Sequence, residues 1–98
     1  MPEYFILPRT KQKANKLNIL IYPSENPHWK LEIYNNNGKF ISYLGKFGDT
    51  DYAYLLEMVK IKLITMKHAR HLREKWVDEN LDNIHHNKYY WLENKLFW

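Results

Sequence analysis

Along residues 17–44 apolar and polar positions alternate with a period of two. Leu17, Ile19 and Ile21 point one way, and Trp29, Leu31 and Ile33 repeat the spacing after the Pro-bounded loop PSENP. Alternation of this kind belongs to half-buried strands, so one strand is predicted on either side of that loop. The stretch NNNG reads as a turn, because Asn and Gly tolerate positive φ, and Phe40 to Leu44 follows as a third strand returning antiparallel. A three-stranded meander with one face to cover is the result.

After GKFGDTDY the period changes. Asp49 or Thr50 stands where a side chain would accept the free N–H groups of a first helical turn. Tyr52, Leu55, Leu56, Val59, Leu63 and Met66 then recur at steps of three and four, a stripe suited to the sheet face. The stripe loses phase near Lys67 and resumes at Ala69, Leu72 and Trp76, which predicts either a bend or a second helix there. DENLDN ends that segment, and a last helix carries Trp91, Leu92 and the residues Lys95 to Trp98. All Gly and Pro lie at or before Gly48, so the second half is free to be helical. The fold expected is α+β: a three-stranded antiparallel β-meander followed by two or three helices packed on one face.

Composition narrows the class. At 98 residues the chain is expected to form a single domain over residues 17–98, preceded by a basic N-terminal arm over residues 1–16. A hydrophobic content of 45% with 16% aromatic residues is too apolar for a disordered chain. The lack of cysteine excludes disulfides and thiolate metal sites, and suits a reducing compartment. The apolar run in MPEYFILPRTKQK is too short for a signal peptide, and nothing approaches the ~20 apolar residues of a membrane span. The expectation is therefore an intracellular protein without a membrane partner.

Charge is unevenly placed within the net +4. From Met1 to Val59 seven Lys/Arg face six acids; from Lys60 to Lys75 six face Glu74 alone; from Trp76 to Trp98 two face four. A smaller basic group, Arg9, Lys11, Lys13 and Lys16, has no acidic neighbour and suits a solvated arm. On a helix, Lys67, Arg70, His71 and Glu74 share a face with Arg73 close beside, while Lys75 falls off it. That face is either the ordinary wet side of a helix, with Arg70 and Glu74 as an ion pair, or a surface that meets phosphate oxygens.

Other groups carry weaker chemistry. His68 and His71, with His85 and His86, supply imidazoles enough for zinc, but no Cys joins them and no HExxH spacing places a general base. Asp49 and Asp51 beside Tyr52 suggest acid chemistry or magnesium, yet Asp before a helix is first of all a cap. No metal, cofactor or catalytic residue is assigned; were the chain an enzyme, Asp49, Asp51 and His71 would be the first positions to test. The aromatic ending KYYWLENKLFW offers Tyr90, Trp91 and Trp98 for stacking on bases or a partner. It reads better as a clasp that closes the core, with Leu96 and Trp98 as its inward pair.

From Phe40 onward the chain resembles a family of small basic proteins encoded by large double-stranded DNA viruses. The resemblance rests on FGDTDY with Asp51 and Tyr52, ARHLREKW with Arg70 and His71, and WLENKLFW with Leu96 and Trp98, in that order over about 60 residues. The chain departs from the family in lacking a Gly before its closing aromatic helix and in the length and apolarity of Leu55 to Met66. The resemblance implies a compact αβ fold, a viral origin, and a place in host cytoplasm, nucleus or virion; it transfers no catalytic residue.

The function expected is non-enzymatic binding of an acidic partner, foremost nucleic acid, DNA or RNA, and otherwise an acidic protein. Lys67, Arg70, His71, Arg73 and Lys75 would meet backbone phosphates, with Arg9, Lys11 and Lys13 as a flexible arm. The alternative is a structural or protein-interaction module, such as a minor virion component or assembly subunit, working as a homo-oligomer or within a larger viral assembly.

Overall fold

The computed structural model of the chain describes residues 4–98. They form two compact units, the first ending at Asp49 and the second running from Thr50 to Trp98. The class is α+β, with a three-stranded antiparallel sheet followed by helices.

In the first unit the meander is as the alternation predicts: β1 (Ile19–Pro23), β2 (Trp29–Asn35) and β3 (Phe40–Lys46), in the spatial order β1-β2-β3. Ile21 pairs with Ile33, and Leu31 with both Pro23 and Leu44. Leu31, Ile33 and Leu44 are wholly buried. Each such side chain contributes about 1.5–3 kcal/mol when removed from water. A slip of one residue would turn all three outward, so burial fixes the register. The NNNG turn closes through the Asn35 side chain, whose Oδ1 accepts from the N–H of Asn37 and of Lys39, both at 2.9 Å. Gly38 sits at φ +84°, a conformation a side chain would strain. The pairing shifts between Ile33 and Tyr34, so that Tyr34 faces Phe40 and Ile41 bulges.

The segment expected to be a flexible basic arm is instead a helix, α1 (Pro8–Lys16), and the first three residues of that arm lie outside the described residues. Pro8 opens the first turn, where its missing N–H costs nothing, and Lys13 and Lys16 in the last turn complement the helix dipole. Thr10 and Ala14, four apart, form its buried stripe. That spacing and Pro8 were the signals in the sequence; the density of cations obscured them.

The second unit divides more finely than two or three helices: α2 (Tyr52–Lys60), α3 (Met66–Glu79), α4 (Leu81–His86) and α5 (Lys88–Phe97). Asp51, not Asp49 or Thr50, caps α2, its Oδ1 accepting from the N–H of Tyr54 at 3.1 Å. The apolar stripe is buried at Tyr52, Ala53 and Leu55, but it does not run on to Met66, since Leu63 is 66% exposed. Its interruption comes before Lys67. Lys62 adopts φ +63°, with its N–H bonded to the Val59 carbonyl at 3.0 Å and the Leu63 N–H to the Met58 carbonyl at 2.9 Å. This is a left-handed helix stop, normally the place of a glycine. Lys62→Gly should therefore stabilise the protein by about 0.5–1 kcal/mol, seen as a raised thermal midpoint. The C-terminal clasp is buried at Leu92, Leu96, Phe97 and Trp98, and Trp98 stacks on Trp76 with centroids 5.2 Å apart and planes 9° from parallel. Leu92 and Phe97 join the expected inward pair, Leu96 and Trp98.

Candidate nucleic-acid interface

The stacked indoles and the buried Ala69 fix how α3 is turned. With Ala69 at 0% exposure and Leu72 and Trp76 half-buried on one side, Lys67, Arg70, His71 and Glu74 stand on the other, all exposed. The helix starts at Thr65, whose hydroxyl accepts from the His68 N–H at 3.1 Å. Among the described residues neither the Lys67 nor the Arg70 side chain has a hydrogen bond or ion pair, and the expected Arg70–Glu74 pair is not formed.

The remaining two cations of this helix are engaged. Arg73 lays its guanidinium over the Tyr52 ring, 4.8 Å from the centroid, a contact that binds it to its own unit. Lys75 faces Glu79 at 3.9 Å in an exposed pair of little energetic weight. A groove of about 520 Å³ is lined by Arg70, Arg73, Glu74, Val77 and Asp78, two guanidiniums against two carboxylates. The uncompensated positive charge of α3 thus lies in its first half, at Lys67 and Arg70, with the exposed His71 imidazole beside them.

Charge runs along α3 in the order least favourable to the helix itself. Its first turn has no acid and contains Lys67 and His68, while its last turn has no base and contains Asp78 and Glu79. The helix macrodipole favours the opposite arrangement, by about 0.3–1 kcal/mol per charge near an end. Helix stability does not account for this order.

The other expected cations lie on α1, in the first unit. Arg9, Lys13 and Lys16 follow one another at helical spacing, whereas Lys11 lies on the far flank of the buried stripe. There Lys11 helps line a groove of about 370 Å³ together with Phe5, Ile21 and Tyr22. Among the described residues no three His, Asp or Glu side chains gather as metal ligands. Asp51 is 1% exposed and spent on the α2 cap, and His85 and His86 are exposed on α4.

One constellation was missed from the sequence. A row of aromatic rings crosses all three strands: Tyr22 to Tyr34 at 5.6 Å, Tyr34 to Phe40 at 5.6 Å, Phe40 to Tyr43 at 5.2 Å, and Tyr43 to Trp29 at 6.3 Å. Tyr22 and Phe40 are 51% and 46% exposed. Within the row the Tyr34 hydroxyl donates to Glu32 Oε1 at 2.8 Å, and that bond to a carboxylate holds the phenol pKa above its usual value. The signal was present: Tyr22, Glu32, Tyr34 and Tyr43 occupy the strand positions between the buried Leu and Ile.

No family model, no curated protein and no solved structure matches the chain.

Proposed function

We propose that this chain is a non-enzymatic nucleic-acid-binding protein that holds the phosphate backbone through Lys67, Arg70 and His71 on α3, with Arg9 and Lys13 on α1 as a second group of contacts and Lys11 apart from them on its other flank. The observation that carries this reading is the inverted charge order of α3. Lys67 stands in the first turn with Arg70 just beyond it, while Asp78 and Glu79 stand in the last, at a cost to the helix, and both cationic side chains are exposed. A docked phosphate would neutralise those side chains and the dipole together, which removes the cost. Arg73 and Lys75 play a lesser part because each already has a partner inside its unit.

Backbone contact predicts weak dependence on sequence and strong dependence on salt. The three contacts on α3 alone should make the affinity for duplex fall about 40-fold between roughly 50 and 200 mM salt, and the contacts on α1 should steepen that fall. Titration of labelled duplex and single strands at the two salt concentrations measures this, and no binding at low salt would remove the proposal.

A second reading, a protein-interaction or virion-assembly module, draws support from Ile61 and Leu63, which are 68% and 66% exposed on either side of Lys62. Size-exclusion chromatography with light scattering discriminates it, since a defined oligomer in the absence of nucleic acid would favour that reading.

A further inference from the structure

The ring row is three strands wide, and its contacts are mostly edge-to-face: the Tyr22 and Tyr34 planes meet at 76°, Tyr34 and Phe40 at 75°, Phe40 and Tyr43 at 66°. Trp29 and Tyr43 at the far side lie nearly parallel, 11° apart. Large rings half-exposed on a sheet, in a unit that buries Leu31, Ile33 and Leu44 completely, are not needed to fill that core. The distribution of charge around them is ordered. Lys11 lines the groove it shares with Tyr22 at one end, and Lys39 immediately precedes Phe40 at the turn; both are exposed. The only charge in register between Tyr22 and Tyr43 is Glu32, whose carboxylate already accepts from Tyr34 and from the Glu25 N–H at 2.9 Å.

We propose that this row is a stacking platform for the bases of single-stranded nucleic acid, laid bases-down on Tyr22, Tyr34, Phe40 and Tyr43 with its phosphates along the lysine rim. The proposal rests on the nucleic-acid reading above and extends it from phosphate contact to recognition of unpaired bases. Every base has a π-face, so such a surface takes strands without reading their sequence, and three strands of sheet offer room for about two or three bases. The carboxylate at the centre decides the orientation: it repels phosphate there and can accept from base N–H groups, whereas the lysines at the rim attract the backbone. A duplex, with its bases stacked inside and its phosphates outward, cannot satisfy this pattern.

The test compares a labelled oligothymidylate about a dozen nucleotides long with a duplex of equal length at low salt, for the wild type, Tyr22→Ala, Phe40→Ala and the ring-preserving Tyr22→Phe and Phe40→Tyr. Each Ala variant should bind the single strand about tenfold more weakly while its duplex affinity is unchanged, and the ring-preserving variants should bind as wild type. Lys39→Glu, at an exposed position beside the turn, should weaken the single strand in the same direction. Equal losses for single strand and duplex, wild-type binding by both Ala variants, or a change of oligomeric state in place of a change in affinity would overturn the platform and leave the phosphate contacts of α3 standing. Absence of binding to either ligand at low salt would overturn both.

Discussion

Phe97→Ala is expected to destabilise the protein by about 3–5 kcal/mol, the largest effect of any single truncation proposed for this chain. Phe97 is 2% exposed and sits in the clasp with Leu92, Leu96 and Trp98, all buried. Removing the ring takes away its transfer free energy and leaves a void that neighbouring side chains fill only in part. A domain of this size is typically stable by about 5–15 kcal/mol, so the loss is a large share of the total. Urea unfolding followed by far-UV circular dichroism should show a markedly lower midpoint. Trp91→Ala on the same helix is the contrast: Trp91 is 40% exposed, with the Lys95 ammonium 5.6 Å from its ring centroid, so its removal should cost less. Equal costs for the two would mean that the clasp does not hold the second unit together.

Lys67→Glu should move stability and binding in opposite directions. Position 67 lies in the first turn of α3, where the macrodipole disfavours a cation and favours an anion, and the new carboxylate would have Arg70 and His71 three and four residues on. A gain of about 0.5–1 kcal/mol follows, or a few degrees in thermal midpoint. The same change removes a phosphate contact and adds a repelling charge, so affinity at low salt should drop about tenfold and the salt dependence should flatten by roughly one phosphate contact. A solvated helix face with no ligand predicts the stability gain alone. Thermal melts and the salt titration on one variant therefore separate the two readings, and a higher melting point with unchanged affinity would refute the proposed role of Lys67.

The sheet was legible because burial in it is simple: Ile21, Leu31, Ile33 and Leu44 alternate with polar or aromatic positions, and NNNG marks its turn without ambiguity. The outward face of α3 was legible for a similar reason, since Ala69, Leu72 and Trp76 define its inner side at helical spacing. The second helix starts at Met66, as the loss of phase near Lys67 predicts, but the end of α2 at Lys60 was not legible. Its stop is a lysine in a left-handed conformation, and Lys62 gives none of the warning that glycine does. The helix α1 was hidden by its own charge, because four cations in nine residues suggest a tail unless Thr10 and Ala14 are seen as a stripe. The ring row escaped because aromatic residues were weighed only where they cluster in sequence. Tyr22, Tyr34, Phe40 and Tyr43 come together through strand pairing, which spacing along the chain does not express. Which cations find partners was equally unreadable, since the Arg73 contact with Tyr52 spans two helices.

The parallel indoles of Trp76 and Trp98 also make the second unit optically distinct. Two indoles 5.2 Å apart couple their strong far-ultraviolet transitions, and that coupling lasts only while Trp76 on α3 and Trp98 at the end of α5 are in contact. Trp29 belongs to the first unit and lies flat against Tyr43, so its emission responds to whatever settles on the strands. A single unlabelled sample thus carries one intrinsic reporter for closure of the helices and another for occupancy of the sheet.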